Sequence, residues 1–166
     1  HHQNLPFLVS TLLKDGKTCK VLDFCGGMGT AYRSCATYTE VENLEIHIIE
    51  TEAFYGKAKD LFKDNKHVYW YKAIPENLTE VDIVNIGSSL QYVRNYSELL
   101  DSLIEKNPRF ILLTDYYMGE AETYATKQVN IPGLAIPLWV FNLKEIKNII
   151  TSKGYKLVFK ATNSQK

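Results

Sequence analysis

The chain has 166 residues, 45% of them hydrophobic, and its 19 basic and 19 acidic residues cancel. That length is enough for one compact domain with a sizeable core, so we predict a single domain over residues 3–166. The charge balance argues against a protein that holds nucleic acid by bulk charge. No apolar run approaches a membrane span, and we interpret residues 1–2 as the remnant of an expression tag.

The three cysteines form an odd set without the spacing of metal ligands: Cys19, Cys25 and Cys35. This pattern favours reduced thiols in a cytoplasmic protein, and it predicts no metal centre.

Hydrophobic periodicity predicts helices that alternate with strands along the chain. The predicted strands cover residues 21–24, 44–50, 67–71, 81–86, 110–114 and 155–159. The predicted helices cover residues 5–13, 30–39, 52–65, 96–106 and 143–153. Such alternation is typical of an α/β, Rossmann-like, doubly wound and mostly parallel sheet with helices on both faces.

Two helix starts carry capping signals, with Asn95 three residues before Glu98 and Asn142 three residues before Glu145. Residues 116–140 have no clear period, and we interpret them as a long functional loop. Folds of this kind usually end in a pair of strands, yet only residues 155–159 read as one. The C-terminal pair is thus either incomplete or completed beyond Lys166, and a homodimer could cover the exposed edge.

The stretch from Lys20 to Thr30 organises the rest of the chain. A buried strand leads into a glycine-rich turn, and a helix begins near Thr30. The helix N-terminus offers unpaired N–H groups to an anionic ligand group, so the stretch predicts a nucleotide-like cofactor site. A dinucleotide fits poorly, because Tyr32 stands where the third small residue of G-x-G-x-x-G is needed.

The turn resembles the first motif of class I S-adenosylmethionine-dependent methyltransferases. Asp23, Gly27 and Gly29 match that motif, and Cys25 replaces its first glycine. Glu50 ends the second strand about twenty residues after the turn, where an acid accepts hydrogen bonds from ribose hydroxyls in related folds. The resemblance implies S-adenosylmethionine as cofactor, with binding residues in the turn and at two strand ends: Asp23, Cys25, Gly26, Gly27, Gly29, Glu50, Gly87 and Ser88. Two alternatives stay open, a solvated strand-end acid for Glu50 and a loop-orienting role for Asp23.

The second half is similar to a family of largely uncharacterised bacterial methyltransferases often encoded among surface-polysaccharide biosynthesis genes. The residues that carry this likeness run in order along the chain: 89–93, 110–115, Thr126, Gln128, Val129, Pro137, Trp139 and Phe141. The likeness implies a glycan-related acceptor.

Asp115 follows the fifth strand and is the first choice for a catalytic base or acceptor-orienting group, with a loop cap as an equally weighted alternative. Tyr92 is a second catalytic candidate, although a packing role is the more ordinary interpretation. Tyr116 and Gln128 are predicted to contact the acceptor. An Asn/Asp-Pro-Pro-Tyr/Phe motif and a metal-ligand cluster are both missing from the sequence, which argues against amide-directed and metal-dependent methyl transfer.

We therefore predict a methyltransferase acting on a small or glycan-linked oxygen or nitrogen acceptor. The alternative is a catalytically silent, methyltransferase-like module that binds a protein partner, because Cys25 departs from the motif and no base stands out. A dehydrogenase is the third candidate.

Overall fold

The structure is a computed structural model that describes residues 4–14 and 16–162. It consists of two compact units, His1–Tyr116 and Tyr117–Lys166. The single domain over residues 3–166 stays a prediction.

The N-terminal unit is built on one parallel sheet. Its strands are β1 (Cys19–Phe24), β2 (Leu44–Ile49), β3 (Val68–Tyr71), β4 (Ile83–Gly87) and β5 (Phe110–Thr114). They lie in the order β3-β2-β1-β4-β5, with every neighbouring pair parallel. Strands β1, β2 and β4 are mostly buried, because a parallel sheet is covered on both faces and reads as nearly continuous apolar sequence. The predicted sheet is confirmed.

Four helices accompany this sheet: α1 (Asn4–Leu13), α2 (Thr30–Tyr38), α3 (Glu52–Leu61) and α4 (Tyr96–Ile104). Val9 of α1 and Cys35 of α2 pack in one core cluster with Val21 and Ile46 of the sheet. Side chains alternate along a strand, so buried Leu22 faces away from this cluster. The buried residues of α4 also lie outside the cluster, consistent with helices on both faces.

One local expectation in this unit is wrong. The side chain of Asn95 makes no capping bond to the backbone of α4; its Nδ2 donates instead to Glu98 Oε2 at 3.1 Å. Residues 72–82 connect β3 to β4 without a helix, and no helix was predicted there.

The C-terminal unit contains β6 (Met118–Gly119), β7 (Tyr124–Ile131), β8 (Leu134–Asn142) and α5 (Leu143–Thr151). Strands β7 and β8 form an antiparallel hairpin around Gly133, where φ is 79°. The long loop predicted for residues 116–140 is therefore wrong. All but one residue of β7 are exposed, so no apolar face marks it as a strand. Pro137 is tolerated because β6 pairs only with Phe141 and Asn142, leaving β8 one neighbour at that point.

Helix α5 begins as predicted. Asn142 Oδ1 accepts a hydrogen bond from the Glu145 N–H at 3.0 Å, and Ile146 is buried. The strand predicted for residues 155–159 is wrong, because the structure gives residues 152–162 neither a strand nor a helical segment. Leu157, Val158 and Phe159 are exposed there. Their apolar character predicted a strand, but a strand also needs a hydrogen-bonding neighbour.

Candidate active site

A cavity of about 280 Å³ lies at the carboxyl ends of β1, β4 and β5. Ligands bind at this edge in open α/β sheets. Six of the eight predicted cofactor residues line it: Asp23, Cys25, Gly26, Gly27, Gly87 and Ser88. Asp115 lines it as well, whereas Gly29 and Glu50 are not among its lining residues.

Asp23 is the most deeply buried charged group of this cavity, with 2% of its surface exposed. Its Oδ1 accepts a hydrogen bond from Asn85 Nδ2 at 2.7 Å, and its Oδ2 has no partner among the described residues. The pKa of Asp23 is raised from 3.8 to about 7. Burial is the largest cause of the rise, the hydrogen bond from Asn85 opposes it, and the nearby charge of Glu50 adds to it. A buried carboxylate with one unpaired oxygen is costly unless a ligand completes its bonding.

Gly26 allows the backbone to pass close to this carboxylate. A Cβ built on Gly26 would lie 2.1 Å from Asp23 Oδ2 and 3.0 Å from Ile48 Cγ2. Any side chain at this position would displace Asp23, so the predicted need for glycine here rests on close approach.

Three non-glycine residues that line the cavity have left-handed backbone conformations. Cys25, Ser88 and Asp115 have φ values of 54°, 52° and 61°, and each directly follows one of the strands β1, β4 and β5. Such conformations cost free energy for a residue with a Cβ, and they concentrate at functional sites. The turn has a positive φ at Cys25, so this residue carries the backbone strain that a glycine at the same position would avoid.

The Cys25 thiol is not poised for nucleophilic chemistry. Burial raises its pKa to about 11, and the charges of Glu50 and Asp23 add to the rise. Because the thiolate is the nucleophile, a thiol protonated at neutral pH is inert.

Glu50 follows β2 and connects it to the glycine turn. Its Oε1 accepts a hydrogen bond from the Gly27 N–H at 2.8 Å, and its Oε2 accepts one from the Thr51 N–H at 2.7 Å. The residue is 6% exposed, so the solvated acid considered as its alternative does not describe this environment. The Thr51 hydroxyl donates a third bond, to Oε2 at 3.3 Å. A carboxylate has about four acceptor positions, which leaves capacity for one ligand hydroxyl.

Gly29 directly precedes α2 in a left-handed conformation, with φ of 76°. A Cβ at this residue would lie 2.7 Å from the Phe62 ring. Its role in the fold is to let this ring cover the turn.

The predicted acceptor residues are spread more widely. Tyr92 ends a short 3-10 helix (Leu90–Tyr92) and is 44% exposed, but it does not line the cavity. Tyr116 donates its hydroxyl to the Ile86 carbonyl at 2.7 Å, and burial raises its pKa. Gln128 belongs to β7 of the C-terminal unit, opposite Ile136. The roles proposed for these three residues stay predictions.

Asn85 is the site residue that sequence reasoning missed. It lines the cavity from the interior of β4 and is hydrogen-bonded to Asp23. A polar residue among Ile83, Val84 and Ile86 was the available signal, because a buried amide needs a partner.

The charged side chains that line the cavity are acidic. Among the described residues that line it, Asp23 and Asp115 are the charged ones, and there is no Lys, Arg or His. In the described part of the chain, no three His, Cys, Asp or Glu side chains come together in a way that could hold a metal ion. The described residues also include no helix long and apolar enough to cross a membrane.

No known family profile and no curated protein match the sequence. Similarity appears in the three-dimensional structure. The N-terminal domain of EvdMO1, solved in the presence of S-adenosylhomocysteine and D-fucose, has a TM-score of 0.67 with 15% identity over 98% of this chain and 79% of that chain. Magnesium protoporphyrin IX methyltransferase from Synechocystis PCC 6803, solved with bound S-adenosylmethionine, has a TM-score of 0.64 with 15% identity over 100% of this chain and 74% of that chain.

A third similar structure, mitomycin 7-O-methyltransferase MmcR, has a TM-score of 0.59 with 10% identity over 90% of this chain and 46% of that chain. These likenesses establish that the chain has the Rossmann-like fold of class I methyltransferases, as predicted. At such low identities they show the fold alone, and the acceptors named for these proteins differ from one another.

Proposed function

We propose that this chain binds S-adenosylmethionine in the cavity at the ends of β1, β4 and β5 and transfers its methyl group to an acceptor. The observation that carries the proposal is Asp23, buried in that cavity with an unpaired Oδ2. S-adenosylmethionine offers a sulfonium and an ammonium group to such a carboxylate. The pyrophosphate of a dinucleotide would instead meet two aspartates, with no cationic side chain among the described residues of the lining.

The residues present fit this cofactor. Asp23 would face its cationic part, Gly26 and Gly27 would allow its close approach, and Glu50 has acceptor capacity left for one ribose hydroxyl. Gly29, Gly87 and Ser88 would shape the walls of the turn and of the β4 exit. Two similar structures were solved with S-adenosylhomocysteine or S-adenosylmethionine, which supports the same ligand here.

The bound sulfonium supplies an electrophilic methyl group, so the chain itself must position the acceptor and handle its proton. We assign this task to Asp115, which is exposed, lines the cavity and is the second carboxylate there. Tyr92, Tyr116 and Gln128 are proposed to contribute acceptor contacts.

The proposed acceptor is a small or glycan-linked oxygen or nitrogen compound, in surface-polysaccharide biosynthesis. The resemblance of the second half of the chain to methyltransferases from such gene clusters supports it. One similar structure was solved in the presence of the sugar D-fucose, which also agrees with a glycan-related acceptor. A cytoplasmic location is supported by three cysteines that form no disulfide with one another. A homodimer is proposed as well, in which a second copy covers an exposed edge of the sheet.

The second candidate is a cofactor-binding module without turnover that acts with a protein partner. The left-handed conformation of Cys25 favours it, because a motif under catalytic selection would place glycine there.

Calorimetry and thermal unfolding with S-adenosylmethionine, S-adenosylhomocysteine and NADH test the proposal. At a hundred times its dissociation constant, the true cofactor should stabilise the fold by about 2.7 kcal/mol. Asp23→Leu should abolish this gain, whereas Asp82→Asn, at the opposite end of the sheet, should leave it unchanged. Stabilisation by NADH alone would overturn the proposal. Binding without methyl transfer to any glycan acceptor, together with a stable heteromeric complex, would favour the module.

A further inference from the structure

A hydrogen bond between two neighbouring strands holds the Asp23 carboxylate. Asp23 of β1 and Asn85 of β4 are direct partners in the parallel register, so their side chains stand on the same face of the sheet. Asn85 Nδ2 donates to Asp23 Oδ1 at 2.7 Å, and both residues line the cavity. The pair is therefore part of the cavity wall.

An asparagine in the interior of β4 is unusual for its surroundings. Ile83, Val84 and Ile86 of the same strand are buried and apolar, as a central parallel strand requires. A partly buried amide is costly there unless it is hydrogen-bonded. Its bond reaches one carboxylate oxygen, and the other oxygen stays unpaired beside Gly26. The hydrogen bond from Asn85 thus orients the Asp23 carboxylate and leaves its Oδ2 without a partner among the described residues.

Burial and the charge of Glu50, after β2, oppose the ionisation of Asp23 by raising its pKa. The thiols of Cys25 in the turn and Cys35 of α2 are protonated at neutral pH, because burial raises their pKa values and the charge of Asp23 adds to the rise. Asp115, after β5, lines the same cavity, and α1 contributes only the uncharged Asn4 and Leu5 to it. Among these neighbours, the amide of Asn85 is the group that lowers the pKa of Asp23.

We propose that Asn85 is a positioning residue that keeps Asp23 ionised near neutral pH with Oδ2 directed at the ligand, and that it thereby sets the pH range in which the cavity binds a cationic cofactor. That the ligand is a cationic cofactor rests on the proposed function. That Asn85 holds and orients the Asp23 carboxylate does not depend on it. Protonation of Asp23 removes the negative charge, so affinity for a cation should fall as the pH drops through the pKa of Asp23, which is about 7.

Carbon-detected NMR of the Asp23 carboxyl group in the cofactor-free protein tests the positioning directly. Asp23→Asn identifies the resonance by its loss. Asn85→Leu keeps much of the side-chain volume and removes the donor, so the titration midpoint should rise by about 1–2 pH units, the worth of a hydrogen bond to a charged group. Asn85→Ala serves if leucine disturbs packing, with thermal unfolding as the check on the fold.

Asn43→Leu is the matched control, because Asn43 is exposed just before the amino end of β2. It should leave the midpoint at its wild-type value. A midpoint that stays unchanged in folded Asn85→Leu and Asn85→Ala proteins overturns the positioning role.

Calorimetric titration with S-adenosylmethionine from about pH 5.5 to 9 tests the consequence for binding. The steep part of the affinity curve should move to higher pH in Asn85→Leu, with about a tenfold loss at neutral pH that is recovered at high pH. A loss that is the same at every pH overturns the pH control. Wild-type protein that binds no cofactor overturns the proposed function and the ligand half of this inference, while the NMR midpoint still decides the positioning role.

Discussion

The two ends of the parallel sheet each have a cavity and a central aspartate, and they treat that aspartate differently. At the amino ends, a cavity of about 360 Å³ is lined by Asp82, Lys20 and Arg109 among others. Asp82 Oδ2 accepts a hydrogen bond from the Lys20 N–H at 2.9 Å, and Oδ1 lies 3.3 Å from the Arg109 guanidinium. At the carboxyl ends, Asp23 has one amide donor, and within residues 4–14 and 16–162 no Lys, Arg or His lines its cavity.

The two aspartates of this sheet differ in whether the chain itself compensates their charge. The chain itself compensates the charge of Asp82, so that end needs no ligand. Backbone strain follows the same division: Cys25 and Ser88, of types that rarely adopt a left-handed conformation, line the carboxyl-end cavity, whereas Asn107, of a type that tolerates it, lines the other. Unsatisfied charge and strain thus occur together at the end of the sheet where we propose that the cofactor binds.

Gly26→Ala should have the largest effect on cofactor binding. The new Cβ would lie 2.1 Å from Asp23 Oδ2, so either the carboxylate or the turn must move. We expect a loss of about 1–3 kcal/mol in stability, as in other overpacked sites, and no measurable cofactor binding. Urea unfolding and calorimetry measure both. Gly56→Ala is the control, because no neighbouring atom lies near its Cβ on α3, and it should gain up to about 1 kcal/mol. Equal behaviour of the two variants would contradict the close approach.

Asp23→Asn should stabilise the cofactor-free protein at about pH 8 while weakening cofactor binding. Burial raises the pKa of Asp23 above its unfolded value, so the folded protein holds the proton more tightly than the unfolded chain. The contribution of the protonated carboxyl is complete below 3.8, the unfolded pKa, and is lost as the pH rises through about 7. At roughly 1.4 kcal/mol per pKa unit, the neutral asparagine should gain roughly 2–4 kcal/mol at high pH.

Urea unfolding of wild type and Asp23→Asn at about pH 5 and pH 8 measures this difference. The gain should shrink towards the lower pH, and affinity for S-adenosylmethionine should fall by about 10–100-fold at the higher one. A stability difference independent of pH would show that the ionised carboxylate is not destabilising, and the contrast with Asp82 would disappear.

Asp82→Ala should have the opposite sign and a smaller size. It removes the acceptor of the Lys20 N–H and the exposed ion pair with Arg109, which together contribute about 1–2 kcal/mol. Thermal unfolding should show the loss, and calorimetry should show unchanged cofactor affinity. A tenfold change in affinity would mean that the two ends of the sheet are coupled.

Cys25→Gly should have the smallest effect. Glycine relieves the strain at φ of 54°, about 1 kcal/mol, but it gives the unfolded chain a comparable amount of freedom. Stability should change by less than about 1 kcal/mol, with cofactor affinity retained. Affinity lost by more than tenfold would show that the Cys25 side chain itself supports the site, and turnover that appears only in the glycine variant would favour a silent module in the wild type.

The sequence was most informative where burial is continuous. Strands such as β2 and β4 were predictable because apolar runs between turn residues have few other structures available. The hairpin of β7 and β8 was not predictable, since exposure on both faces removes the alternation that marks a strand. The strand predicted for residues 155–159 was wrong for the opposite reason. The apolar pattern is present there, but such a pattern cannot show whether a neighbouring strand is available for pairing.

Within the site, the glycine turn and Asp23 could be located because close backbone approach leaves glycine at fixed positions. The bond from Asn85 could not, because it depends on the register between β1 and β4. The left-handed conformation of Ser88 was equally hidden, since serine does not indicate a positive φ. Glu50 was found by its place after β2, but its backbone partners emerged only from the fold.

The hydrogen bonds of Glu50 have a dynamic consequence. One carboxylate joins the Gly27 amide in the turn to the Thr51 amide at the start of α3. Each of these amide protons is a donor that would otherwise exchange with water, since the first N–H groups of a helix and those of a tight turn lack regular backbone partners. Opening of the turn and fraying of α3 are thereby linked into one cooperative event, so a hydroxyl that binds Glu50 would slow the motion of both segments at once.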